Sequence, residues 1–292
     1  MKVLITGASG FVGSAIVQEV QQAGHEVLAA SRSGKAPEGM QGIKLDVTQE
    51  GETLKTIQEV QPEAIIHLVG IIRETRDQKF QKVHVQGTEN VLKAAQQVGA
   101  RYLHMSALGA SKGHKSKYFD TKGQAEALVK ASGLTYTIFQ PSLIFGPGDD
   151  FFGNVLKDLV SAAPVVPVIG KGDFPFRPIW IGDVAAAFTQ ALRNPRTENQ
   201  TFQLVGPKEY TFQELLDLEL HALQRRKPLF HVPLLLMDLA VPMMQILPNP
   251  PITRDQYLML KEGNTGDPAP ATRILNLSMD HLEHWLPRIL KA

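Results

Sequence analysis

Tyr118 and Lys122 stand four residues apart in the stretch Y-F-D-T-K. On a helix that spacing puts both side chains on one face, one turn apart. A free tyrosine, with a pKa near 10, exchanges its proton poorly around neutrality. A neighbouring ammonium favours tyrosinate and lowers that pKa toward the working range. Ser106 ends the run Y-L-H-M-S, twelve residues before Tyr118. If the run is a strand of an open parallel sheet, Ser106 stands at the carboxyl edge, where such sheets bind ligands. A hydroxyl there can hydrogen-bond an oxygen on which charge develops. A single Y-x-x-x-K also fits a solvated surface helix, so the elements around it have to decide.

The elements begin at M-K-V-L-I-T-G-A-S-G-F-V-G. Val3 to Thr6 is a short apolar run, as expected of a strand buried on both faces. It reads as the first core strand, so no signal peptide is expected. After Gly13, the residues Ala15, Ile16, Val20 and Ala23 recur at helical spacing, and Gly24 stops the helix. Gly7, Gly10 and Gly13 thus lie between a strand and a helix. Helix N-termini carry unpaired N–H groups and partial positive charge, which attract phosphate. Side chains at Gly7 or Gly10 would hold a pyrophosphate off, and Gly13 lets the helix sit close on the strand. A second strand, H-E-V-L-A-A, ends in Ser31-Arg32 with no acid. An acid there would hold a ribose 2′-OH, whereas arginine pairs with a 2′-phosphate. The reading is NADP(H), with NAD(H) as the alternative and a solvated basic turn as the bland one. Strands G-I-K-L-D-V and A-I-I-H-L-V-G follow, alternating with helices. The fold class is α/β, a doubly wound parallel sheet with a small C-terminal substrate lobe. His67, inside an apolar strand, reads as a core histidine.

T-G-A-S-G-F-V-G resembles the T-G-x-x-G-x-x-G turn of the extended and atypical short-chain dehydrogenase/reductase superfamily, and Ser106, Tyr118 and Lys122 resemble its Ser-Tyr-Lys constellation. The resemblance implies hydride transfer with Tyr118 as proton donor, Lys122 tuning it and holding the nicotinamide ribose, and Ser106 on the substrate oxygen. It implies a cofactor surface of Gly7, Ser9, Gly10, Phe11, Val12, Gly13, Ser31 and Arg32. Asp46 and Val47 would flank the adenine, and Leu68, Val69 and Gly70 would pass near the cofactor. His84, Tyr118, Lys122 and Pro141 complete the set. Two positions depart from the superfamily: His84 replaces a relay Asn, and Gln140 replaces the Arg of an Arg-Pro pair. Lys122 and Tyr118 can also grip the ribose without turnover.

The later stretches I-I-H-L-V-G-I-I-R-E, P-S-L-I-F-G-P-G-D-D-F-F-G-N, F-R-P-I-W-I-G-D-V-A-A-A-F and F-Q-L-V-G-P-K-E-Y-T-F-Q-E-L-L are similar to the atypical branch holding the accessory NADPH-binding subunit of respiratory complex I and its bacterial relatives. The likeness is specific in the first two-thirds and vague after about Leu220. It implies either a reductase for an apolar carbonyl or quinone, or a non-catalytic NADPH-binding assembly factor of a membrane complex. A nucleotide-sugar epimerase would carry Arg seven residues before Asp183, where Phe176 stands, with Arg177 one place late.

The boundaries drawn from sequence are 1–145 plus 177–206 for the dinucleotide-binding core, and 146–176 plus 207–292 for the substrate lobe. That lobe is rich in proline and methionine, which suits an adaptable apolar cleft and equally an ordinary core helix or an interface. Within it, Leu229 to Leu247 is apolar but carries His231, Asp238, Pro233 and Pro242. The expectation is a buried or lid helix, with membrane-surface contact as the lesser alternative and no transmembrane segment. Over 292 residues the formal net charge is +1, which draws the chain to no nucleic acid. The chain has no cysteine, so disulfides, thiolate catalysis and thiolate metal sites are excluded. His281 and His284 lack a third metal ligand and read as a solvated helix. The expected location is cytoplasmic, peripheral at a membrane under the assembly reading.

Overall fold

The computed structural model describes residues 1–247, 250 and 252–291. Seven strands form one sheet: β1 (Lys2–Thr6), β2 (Glu26–Ser31), β3 (Gly42–Lys44), β4 (Ala64–His67), β5 (Arg101–Met105), β6 (Tyr136–Pro141) and β7 (Gln200–Leu204). Their order is β7-β6-β5-β4-β1-β2-β3, with every pair parallel. The order reverses between β1 and β4, where open sheets of this kind leave a ligand crevice.

The strand side chains alternate between two helical layers. Leu4, Ile65, Tyr102 and Ile138 join one core with Ile57 of α2 (Glu50–Val60), Val91 of α3 (Gly87–Val98) and Val129 of α4 (Lys117–Ala131). On the opposite side Phe139 meets Phe188 of α5 (Ile181–Ala191), ring centroids 4.5 Å apart, and α1 (Phe11–Gln22) packs on α5. The sequence period of two is what feeds both layers.

The chain divides into two compact units. One contains Met1–Pro141, Ile181–Leu204 and Pro268–Ser278, and the other Ser142–Trp180, Val205–Asp267 and Met279–Ala292. The short helix α6 (Ala269–Leu275) therefore belongs with the sheet. Asn194 Nδ2 donates to the Ile274 carbonyl at 3.0 Å, and Leu275 is fully buried.

The second unit has its own core, with Phe145, Phe152, Leu215, Leu216 and Leu286 among its members. Trp180 stacks on Trp285 at 3.8 Å. The apolar stretch from Leu229 differs from expectation. Leu229–Val232 is a strand paired in parallel with Val166–Ile169, and only Leu234–Met244 is helical. That helix is not buried: of its residues only Val241 is. A run apolar on every side carries no period to show which face is covered. Pro248, Asn249 and Pro251, at the end of the proline-rich stretch, lie outside the described residues.

Candidate active site and dinucleotide cradle

The turn after β1 shows why glycine recurs there. Gly7 has φ +80, and a Cβ on it would stand 3.3 Å from the backbone of Leu68 and Val69, just past β4. Gly13 is tighter still: a Cβ there would lie 2.1 Å from the Gly7 carbonyl oxygen. The Gly7 and Ala8 N–H groups both donate to the Ala30 carbonyl, fixing the turn to the end of β2. Gly10 caps α1 without a side chain, so no side-chain oxygen occupies the helix's opening N–H groups. Ser9 is exposed, with Phe11 and Val12 half-buried behind it. The glycine geometry and the open helix end fit a pyrophosphate.

The other candidate cofactor residues are placed as follows. Ser31 is buried and donates its hydroxyl to the Lys35 carbonyl at 2.6 Å, so it shapes the turn and is not left for a ligand. Arg32 is exposed beside it. The Asp46 carboxylate accepts from Thr48 N and Oγ1 at 3.0 and 2.8 Å, and the Val47 carbonyl accepts from buried Asn90 at 2.9 Å. Leu68 is buried, and Pro141 ends β6 with its carbonyl accepting from Leu108 N. His67 is a core histidine as expected. Its Nδ1 shares a 2.7 Å hydrogen bond with Thr6 Oγ1, and burial followed by the Lys122 charge pushes its pKa down to about 3.

Helix α4 carries Tyr118 and Lys122. Ser116 caps its N-terminus by accepting from Phe119 N, which sets Tyr118 in the first turn and Lys122 one turn on. Lys122 is buried and donates to the Met105 carbonyl at 3.0 Å. A Cβ on Gly70 would stand 3.0 Å from its Nζ, so the glycine after β4 makes room for the ammonium. Burial lowers the Lys122 pKa to about 8, against the raising charge of Glu126. Half-buried Tyr118 sits edge-on to His84, ring centroids 5.6 Å apart. Its pKa moves opposite to expectation: burial pushes it up to about 12. Desolvating the phenolate outweighs the help expected from Lys122, so Tyr118 holds its proton at neutral pH.

Ser106 directly follows β5, at the strand end expected of it. It is buried, and its hydroxyl donates to Glu126 Oε1 at 2.5 Å rather than opening to a ligand. Gln140 Nε2 donates to the same oxygen at 2.7 Å, and Lys130 reaches Oε2 at 3.3 Å. Glu126 was missed from sequence although it continues the Tyr118-Lys122 stripe by one further turn. Its spacing was the available signal. Gln140, the second departure from the superfamily, thus belongs to a polar knot under the site.

His84 lies in a π-helical turn, Gln81–Gln86, that leads into α3. Its Nδ1 bonds Thr121 Oγ1 at 2.9 Å, and Nε2 accepts from Ile71 N at 3.0 Å. Thr121 Oγ1 also lies 2.8 Å from the Lys117 carbonyl. Nε2 also lies 3.1 Å from the Ile71 carbonyl, so a proton on Nδ1 leaves Nε2 to accept from Ile71 N and a proton on Nε2 serves that carbonyl. Burial first and Lys122 second push the His84 pKa down to about 2, so the ring is neutral. It sits as a fixed dipole between α4 and the loop after β4, with Nε2 near Gly70.

In the second unit, Arg177 donates to the carbonyls of Gly206, Gly266 and Pro207 at 2.8, 3.0 and 3.1 Å. Its guanidinium is committed to backbone, which leaves it unsuited to a sugar diphosphate. No cluster of three metal-ligating side chains occurs among the described residues.

A parallel sheet reversing at β1 and β4, a glycine cradle at that point and a Tyr-Lys helix beside it define a dinucleotide-binding protein of the short-chain dehydrogenase/reductase type. The NAD dependent epimerase/dehydratase family profile matches residues 3–205, and the chain belongs to that family. It is 29% identical over 227 residues to NADH dehydrogenase [ubiquinone] 1 alpha subcomplex subunit 9, mitochondrial, of Arabidopsis thaliana, covering 73% of this chain and 56% of that one. It is 27% identical over 235 residues to ceramide reductase of Caulobacter vibrioides, covering 79% and 73%. Thus the chain spans little more than half the length of the Arabidopsis subunit. UDP-glucuronic acid 4-epimerase from Bacillus cereus, solved with UDP-glucuronic acid and NAD, superposes with a TM-score of 0.76 at 17% identity, covering 100% of this chain and 99% of that one. The expected fold and family are borne out, and the family is one described as NAD dependent.

Proposed function

We propose that this protein is an NADP(H)-dependent reductase for an apolar carbonyl or quinone, with Tyr118 as proton donor. The observation that carries the reading is the α4 face, where a buried Lys122 stands beside Gly70 and, one turn away, a protonated Tyr118 sits edge-on to His84. The bound dinucleotide supplies the hydride. Tyr118 gives its phenolic proton to the substrate oxygen as that oxygen gains charge. Lys122 holds the ribose hydroxyls and, when charged, steadies the phenolate left behind. His84 keeps the Gly70 loop and α4 in register through Ile71 and Thr121. Ser106 acts from below, by fixing Glu126.

NADP(H) is preferred over NAD(H) because Arg32 is exposed at the end of β2 with no acid beside it. Arg32→Ala is expected to weaken NADPH binding at least tenfold while leaving NADH binding within twofold. Fluorescence titration of the two cofactors checks this, and equal losses for both would remove the assignment.

A second reading is favoured by the Ser106–Glu126 bond, which takes the serine hydroxyl away from any substrate oxygen. Under it the chain binds NADPH without turnover and serves assembly or stability of a membrane complex, as the name of the Arabidopsis relative would fit. The test is NADPH oxidation over a panel of quinones and long-chain carbonyls, with Tyr118→Phe in parallel. The reductase predicts turnover that Tyr118→Phe lowers at least about a hundredfold, with NADPH binding kept. Tight NADPH binding with no oxidation by either protein, and co-purification with a larger protein complex, assigns the second role.

A further inference from the structure

We infer that the helix Leu234–Met244, with Ile246 and Leu247 after it, rests in the surface of an anionic lipid bilayer. This goes beyond the proposed function and holds under either reading of it.

Of the ten exposed large apolar side chains among the described residues, six are here, and Ile72, Val155, Val165 and Phe230 lie outside the helix. Leu235, Leu239, Met243 and Ile246 are 72, 63, 71 and 86% exposed, and Leu236 and Leu247 are more than half exposed. Leu235, Leu239 and Met243 recur at helical spacing within the helix, so they form one ridge, and Ile246 follows just past its end. Soluble surfaces rarely leave such a patch in water without a use. The helix has 11 residues. At about 1.5 Å per residue it is far too short for a hydrocarbon core of roughly 30 Å. No helix of the described residues is long and apolar enough to cross a membrane. The geometry that remains is a helix lying in the interface plane.

Charge selects the occupant. Between Pro228 and Leu247 the ionisable side chains are His231, whose Nε2 bonds Gln213 Oε1 at 3.0 Å before the helix begins, and Asp238 within it. The Asp238 carboxylate accepts from Lys261 Nζ at 2.9 Å and Tyr257 Oη at 2.8 Å, so the helix brings no unpaired charge to an apolar medium. Before the helix come Arg225, Arg226 and Lys227 in a row. Arg225 and Arg226 are exposed, and Lys227 is tied to the carbonyls of Ser161 and Ala163. On the adjoining turn Lys171 is exposed, with Gly170 against Leu234 and Asp173 two residues on. An aliphatic ridge preceded by arginines matches acyl chains under anionic headgroups. The ridge holds leucine, isoleucine and methionine with no aromatic or arginine anchor, unlike the centre of a protein interface.

The experiment is flotation of the full chain with vesicles of phosphatidylcholine alone and with 30 mol% phosphatidylglycerol (a proportion of about one lipid in three, enough to set a negative surface potential). Binding to the anionic vesicles is expected, at least tenfold weaker with phosphatidylcholine alone. Leu235→Ser/Leu239→Ser/Met243→Ser should abolish it, and Arg225→Ala/Arg226→Ala should remove the preference for phosphatidylglycerol. Exposed positions tolerate these changes, and an unaltered melting temperature with NADPH verifies the fold. Absence of flotation with either vesicle overturns the inference. So does flotation that the triple serine variant keeps, or a concentration-dependent dimer of the wild type that the same variant dissolves.

Discussion

Gly13→Ala is expected to lower the melting temperature by about 5–10 °C and to weaken dinucleotide binding at least tenfold. The added methyl carbon would stand 2.1 Å from the Gly7 carbonyl oxygen and 3.0 Å from two backbone atoms of Ala8. No rotamer relieves a Cβ, so α1 must shift away from the turn. Overpacking of this kind costs about 1–3 kcal/mol or more. The shift also withdraws the helix N–H groups from the place where phosphate is to sit. Gly51→Ala is the matched control. It lies in α2 with nothing within 4 Å of a built Cβ, and it should melt at or slightly above the parent. Thermal melts of both variants, with and without NADPH, make the comparison. A Gly13→Ala protein that melts and binds like the parent would show that the turn is looser than its geometry.

Glu219→Gln is expected to stabilise the protein at pH 8 and to flatten its pH dependence. Glu219 is fully buried in the second unit, and neither carboxyl oxygen has a hydrogen-bond partner among the described residues. Burial first, and the Asp149 carboxylate second, push its pKa up to about 8, against the opposing charge of Lys157. The folded state therefore keeps a proton that the unfolded state gives up near 4.5. Between these values the folded chain binds more protons, so stability is full below about 4.5 and falls as pH rises toward 8. The slope has an upper bound of about 1.4 kcal/mol per pH unit. An amide has no proton to lose and removes that slope. Urea unfolding at pH 5, 6.5 and 8 reads it directly. Parallel pH profiles for parent and variant would sink the assignment.

Sequence and structure agree where the signal is local. The glycine turn is legible because Gly7, Gly10 and Gly13 each answer a steric demand between adjacent elements. Tyr118 and Lys122 are legible because one helix fixes their spacing. Ser106 was legible as a polar residue at a strand end, but not as the partner of Glu126, twenty residues away on another element. Gln140 joins the same knot from β6, and no pattern within β6 announces it. The Tyr118 pKa also depends on how much water reaches the ring, which spacing cannot report. The apolar stretch from Leu229 fails for a different reason. Its composition states that burial is favourable but not that the chain supplies the cover.

The return of α6 to the sheet bears on how this chain can be cut and recombined. The stretch that defines the family ends at residue 205, yet Ala271 and Leu275 fill the first unit from beyond it. Ser278 Oγ adds a bond to Asp183 at 3.2 Å. The stretch that matches the family and the compact unit therefore do not coincide. A fusion or truncation made at 205 would carry every residue of the dinucleotide cradle and still leave an open wound in the core beside α5, while an insertion at an exposed turn such as Gly113 would leave that core closed.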